Sequence, residues 1–347
     1  MKNYKSVFGL SILCLLILTA SSTYSQDKSA TGAVQVHLVA TNEAQHGDEV
    51  PTLQQGDVKV KQGKTFLTVN QLIPAKGENA ALQLFILIDD TLDTGVGNNL
   101  NDIRDFIKAQ PGTTVIAVGY MSNAAVQVVQ NFTADHDLAA KALRLPRGSL
   151  SAMDSPYLSL ISLVKGWPQQ KVRREVLMVS DGIDRLRGVQ PARPAGQTIT
   201  PRSGRSPIGS PALGPDYGSV YHSMPTMSPD VNSASEISQR YNVIVYPLYA
   251  VSVGRAARSS WDLQIGLSGL TKIADETGGD CFSLSTSALI SFKPYLDRLQ
   301  KLLDNQYYVV FQAAPGKKDG LQRVNLTTEV QNSEIAAADN VWVPAAK

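Results

Sequence analysis

The chain has 347 residues, 32 of them Lys or Arg against 30 Asp or Glu, and 43% of it is apolar. That length suits one large domain or one domain with a small partner, and that composition supports a sizeable packed core. The near-neutral balance of charge gives no reason to propose nucleic acid as a partner, the more so because Lys2 and Lys5 fall in an expected leader.

Lys2 and Lys5 precede an almost wholly apolar run, Val7 to Thr19, and small residues follow at Ala20, Ser21 and Ser22. Thr23-Tyr24-Ser25 fits the small-x-small rule, which predicts an export signal over 1–25 cut near Ser25. The apolar run is shorter than the roughly 20 residues of a membrane-spanning helix. The expected destination is therefore periplasmic or secreted, with no stable membrane span after cleavage. Cys14 sits mid-run behind Ile12 and Leu13, so it does not read as a lipid anchor. Cys281 is then the lone cysteine, in the apolar-leaning run Cys281-Phe282-Ser283-Leu284, and reads as a buried strand residue with no disulfide.

Ala33 to Val39 alternates as a strand does, and Asp57 to Val60 with Thr65 to Leu72 reads as a β-hairpin about Gly63-Lys64. Leu82 to Ile88 is a nearly continuous apolar run ending in Asp89-Asp90, the pattern of a strand buried on both faces of a parallel sheet. Leu100, Ile103, Phe106 and Ile107 mark a helix stopped by Pro111-Gly112. Strands are expected at Thr113 to Tyr120 and Ala125 to Val129, and a short helix at Asp135 to Leu143 with acids in its first turn, beside His136. Ser155-Pro156 opens another helix, serine as N-cap and proline at its first position. Glu175 to Val179 is a second buried strand, and it too delivers an acid, at Ser180-Asp181-Gly182. Helices at Ser235 to Tyr241, Leu267 to Thr277 and Ala288 to Asn305, and strands at Val243 to Val253, Tyr307 to Gln312 and Leu321 to Val330, complete the chain. This alternation predicts a doubly wound α/β fold with a mainly parallel sheet flanked by helices.

Arg185 to Pro229 breaks the rhythm, with eight prolines, six glycines and five arginines among few aliphatic residues. It reads as a disordered or loosely ordered insertion. Because it leaves the chain just after Asp181, its arginines are placed to cover an acidic top or to form part of a partner-binding surface.

The informative feature is that two buried strands each end in aspartate. In open parallel sheets, sites form at the carboxyl ends of strands, and a buried carboxylate there needs a metal, water or donor. Asp89, Thr91 and Asp93 occupy alternate positions of a tight turn, Asp181 approaches from a neighbouring strand end, and Ser155 from a helix start. Ser149, Ser151 and Asp154 lie close enough to offer the same oxygens. Carboxylates and hydroxyls without His or Cys suit a hard cation, Mg2+ first and Mn2+ or Ca2+ after it. The bland alternative is that these acids merely cap turns.

Asp89-x-Thr91-x-Asp93 resembles the Asp-x-Ser-x-Ser signature of von Willebrand factor A domains. Ser155-Pro156-Tyr157-Leu158 resembles their Thr-x-Leu-Tyr segment, and Val176 to Gly182 their strand ending in Thr-Asp-Gly. The resemblance covers Leu82 to Asn305, and the flanking β-segments, which are expected to pair as a small β-module, look like those of a bacterial exported subgroup. It implies a metal-ion-dependent adhesion site holding a divalent cation through Asp89, Thr91, Asp93, Ser155 and Asp181, completed by an acidic group of a partner. Asp93 departs from the pattern, standing where a second serine is expected. The implied division is a signal at 1–25, an N-terminal β-segment at 26–80, a von Willebrand factor A-like domain at 81–305 with its insertion at 185–230, and a C-terminal β-segment at 306–347.

The function expected from this is exported, non-enzymatic adhesion, recognising a protein or other surface ligand through a divalent cation. One alternative is a metal-free interaction or assembly scaffold. Another, of a different class, is a haloacid dehalogenase-like phosphohydrolase with Asp89 as nucleophile, though Thr91 stands where its second acid belongs and no paired-acid segment follows. No Gly-x-Ser-x-Gly, P-loop or Gly-x-Gly-x-x-Gly string is present.

Overall fold

The computed structural model describes residues 33–47, 49–149, 151, 153–168, 170–186, 227–251, 260–283 and 290–345. The expected export signal and residues 187–226 of the expected insertion lie outside the described residues. Among those described, no helix is long and apolar enough to cross a membrane.

The apolar run before Asp90 is β5 (Leu82–Asp89), buried at every position. It is the middle strand of a five-stranded sheet, parallel on one side to β6 (Thr114–Ser122) and on the other to β8 (Arg173–Ser180). Beyond β8 lies β9 (Val243–Tyr249), also parallel, and beyond β6 lies β7 (Ala125–Thr133), antiparallel and partly exposed along its length. The order is thus β7-β6-β5-β8-β9, a doubly wound, mainly parallel sheet.

Alternation along β5 feeds two separate cores. Leu84, Ile86 and Ile88 share one with α1 (Leu100–Ala109), α2 (His136–Lys141) and α6 (Lys293–Asp304). Phe85 and Leu87 share the other with α3 (Pro156–Gly166), α4 (Pro229–Arg240) and α5 (Ser260–Thr277). The four apolar positions expected to face inward on α1 are all buried. His136 lies at the start of α2 with its Nε2 2.9 Å from the Thr114 carbonyl, while Asp135 caps that helix by accepting from Leu138 N–H.

The remaining strands form a two-sheet module. One sheet runs β12 (Ser333–Ala337), β1 (Val34–Ala44), β10 (Gln306–Ala313), β4 (Val69–Pro74). The other runs β13 (Asn340–Val343), β11 (Gly320–Thr328), β2 (Val58–Gln62), β3 (Thr65–Leu67). Val36, Leu38, Val60, Val309, Phe311 and Val324 belong to the core they share. The expected hairpin is present at Gln62↔Thr65, but its second limb is not one strand. It leaves β2 after Leu67 and continues as β4 against β10, so the chain changes sheet at Thr68.

Three details differ from expectation. Arg185 is a buried core residue, because it has an acidic partner in Asp181. Ser228 and Pro229 begin α4, the serine hydroxyl accepting from Asp230 N–H. Cys281 is half-buried and precedes Phe282, which makes an isolated bridge to Leu248. Burial pushes its thiol up to about 11, a value that keeps it protonated and unreactive at neutral pH.

Candidate functional site

Parallel pairing of β5 with β8 brings Ile88 level with Val179, so the next residues on each strand, Asp89 and Ser180, emerge side by side. The Ser180 hydroxyl donates to Asp89 Oδ2 at 2.8 Å and accepts from Gly182 N–H at 3.0 Å. Asp89 Oδ1 accepts from the backbone N–H of Thr91 at 3.0 Å and from its hydroxyl at 2.7 Å. Burial pushes the Asp89 carboxyl up to about 6, and the neighbouring Asp181 charge adds to that rise; Arg185 and the Thr91 hydrogen bonds oppose it.

Asp181 follows Ser180 on the same strand end. Its Oδ1 accepts from Ile183 N–H at 2.9 Å and its Oδ2 from Arg185 Nη2 at 3.0 Å. Arg185 is buried too: Nη1 donates to the Ile183 carbonyl at 3.1 Å, and its backbone N–H to the Asp154 carbonyl at 2.9 Å. That last bond ties the turn after β8 to the start of α3. There Ser155 caps the helix, its hydroxyl accepting from Leu158 N–H, while the Asp154 carboxylate accepts from Ser151 N–H and Asn123 N–H. Asp93 is half-buried and accepts from Gly95 N–H at 2.7 Å, opening a 3-10 turn. The structure therefore gathers Asp89, Thr91 and Asp181 at one edge, with Ser155 joined to them through Arg185 and Asp154. Asp93 serves the neighbouring turn.

Two groups outside the expected ligand set complete the edge. Ser180 joins the strand of Asp181 to Asp89. Asp90 anchors a second loop: Arg144 donates to both its oxygens, at 2.7 and 3.0 Å, and Arg147 N–H adds a third bond at 2.9 Å. The Asp90 carbonyl accepts from Gly148 N–H, and the Arg144 guanidinium lies 3.7 Å over the Tyr120 ring. Burial works to raise the Asp90 carboxyl, but Arg144 and Arg147 hold it below the ordinary range. Asp90→Asn removes the charge from a bidentate pair, and should cost about 2 kcal/mol in urea unfolding and open 144–148 to protease. Unchanged stability and cleavage would show that the loop holds its shape without this pair.

As placed, the carboxylate oxygens expected to hold a divalent cation are engaged within the chain. Mg2+ asks for about six oxygens in octahedral array, yet all four carboxylate oxygens of Asp89 and Asp181 already accept hydrogens from the chain. A cation drawn to Asp181 would also meet the Arg185 guanidinium. Among the described residues, no group of three or more His, Cys, Asp and Glu side chains is placed to hold a metal.

No protein-family model matches the chain, and no curated protein matches it. Among solved structures, it is similar to a von Willebrand factor type A protein from Catenulispora acidiphila at 10% identity, over 84% of this chain and 73% of that one, with a TM-score of 0.37. It is similar to the SpRpn10 VWA domain at 12% identity, over 61% and 87%, with a TM-score of 0.29. An aerotolerance-related membrane protein from Bacteroides fragilis NCTC 9343 is 8% identical over 65% and 99%, with a TM-score of 0.39. Likeness this loose carries no argument about function, and the α/β fold class stands on the sheet order described above.

Proposed function

We propose that the chain is an exported, non-enzymatic interaction module that presents the loops at the carboxyl edge of its central sheet to a protein or other surface ligand. One observation carries this reading: the clamp of Asp90 on residues 144–148 holds Leu145 in place at 51% exposure. Met153, next to the buried Asp154-Ser155 pair, is 57% exposed. Each of these apolar side chains is held out in water on a loop next to the carboxyl edge, and loops already ordered lose little entropy on binding. The polar centre beside them does not offer a nucleophile. Asp89 and Asp181 are closed from solvent, and their oxygens are engaged within the chain. A phosphohydrolase would need Asp89 open to its substrate and an acid where Thr91 stands.

The test is capture from the extracytoplasmic fraction of the producing cells on immobilised full-length protein. A Leu145→Asp/Met153→Asp double variant is compared with Phe66→Asp, a control on β3, where Phe66 is likewise exposed. A partner held by wild type and by the control, and lost by the double variant, is the expected result, together with no turnover of a generic phosphoester. A partner that stays with the double variant and leaves the control would move the contact to the β-module and overturn the proposal. Phosphoester turnover abolished by Asp89→Asn would replace it with an enzyme.

A further inference from the structure

Two carboxylates delivered to adjacent strand ends repel each other and need a countercharge. The resemblance in sequence assigns that charge to a divalent ion, whereas the structure places a side chain of the same chain there. We infer that Arg185 is a built-in countercation: its guanidinium takes the place of a divalent ion at the carboxyl edge of the sheet, so this edge assembles without metal.

The geometry is specific. The Arg185 and Asp181 side chains are 2% and 0% exposed and meet at 3.0 Å. A buried guanidinium is costly unless paired and hydrogen-bonded, and here it is fixed from two directions, by Asp181 Oδ2 and by the Ile183 carbonyl. The Arg185 backbone is pinned separately to Asp154, so two loops aim the side chain at once. Burial alone would lower the Arg185 pKa, yet the charges of Asp181 and Asp89 hold it above its ordinary value. Donors of the same chain meet every carboxylate oxygen of Asp89 and Asp181. Placing a dication among them would set like charges side by side in a low-dielectric interior. Neutralisation by Arg185 holds whatever the module binds.

The experiment is calorimetry and thermal unfolding of the full chain with MgCl2, MnCl2 or EDTA, on wild type, Arg185→Lys and Arg185→Met. Wild type and Arg185→Lys are expected to show no binding heat and no change in Tm with millimolar metal or chelator. Arg185→Met keeps most of the bulk without the charge, and should unfold at a lower temperature in EDTA and gain several degrees in millimolar Mn2+, by linkage to a newly bound ion. Saturable binding of Mg2+ or Mn2+ by wild type overturns the inference. So does an Arg185→Met protein that is stable in EDTA and indifferent to metal. If Arg185→Met does not fold, refolding is compared with and without MnCl2 and against Arg185→Met/Asp181→Asn, in which the orphaned charge is also gone. Recovery with metal, or in the double variant, supports the inference; failure of both overturns it.

Discussion

Replacing Gly182 by alanine is expected to destabilise the fold severely. Gly182 has φ +68°, in the left-handed region, where a side chain costs roughly 1–2 kcal/mol. A Cβ there would also lie well inside contact distance of the Gly266 carbonyl oxygen, 2.7 Å from its carbon and 2.9 Å from Leu270 Cγ. The first two are backbone atoms of α5, and Leu270 is fully buried, so none of them yields cheaply. Strain and overpacking together should remove about 3–5 kcal/mol, a large share of an ordinary domain's stability. Gly266→Ala should behave alike, because its Cβ would run into the Asp181 carbonyl oxygen from the other side. Gly112→Ala is the control, with nothing within 4 Å. Denaturant midpoints measure all three. A Gly182→Ala protein within about 1 kcal/mol of wild type would mean that α5 does not rest on the turn after β8.

Glu175→Gln should make the protein more stable above neutral pH. Glu175 lies on β8, fully buried, and neither of its carboxylate oxygens has a well-aligned hydrogen-bond donor. Gln306 nearby turns its amide N–H groups to the Tyr246 hydroxyl and to Thr41. Burial pushes the Glu175 carboxyl up to about 7, against the pull of Arg173 and Gln306. Because the folded pKa is raised, the folded state keeps a proton that the unfolded chain has released between the ordinary glutamate pKa and about 7. Stability therefore falls as pH rises through that window and is flat above it. Full ionisation costs on the order of 3 kcal/mol, and the amide avoids that cost. The measurement is the difference in unfolding free energy between Glu175→Gln and wild type, taken at about pH 5 and about pH 8. The variant's advantage should be larger at the higher pH. An equal difference at both values would show that Glu175 ionises in the folded protein as it does in solvent.

The two buried strands that deliver Asp89 and Asp181 are legible because a parallel central strand is apolar on both faces, a pattern that alternation in an edge strand obscures. The start of α3 is legible from Ser155-Pro156 for a local reason, capping. Other features have no local cause. β12 and β13, five and four residues long and mixed in polarity, are strands only because β1 and β11 offer them edges. The change of sheet at Thr68 follows from β10 lying beside β4, which no run of residues announces. Arg185 carries the same composition as the segment it opens, and its burial depends on an aspartate four residues earlier at a strand end. The five expected ligands rest on matching residue types, whereas the arginine that changes their chemistry matches nothing in that pattern.

β1 is flanked by β12 and β10, so both strands that hydrogen-bond to it come from beyond residue 305. A chain emerging from the ribosome can finish every strand and helix of its central sheet while β1 still waits with two open edges. A segment made late is thus the one that closes a segment made early. Any product truncated ahead of β10 would carry a naked, adhesive strand near its front, which marks it for degradation or aggregation.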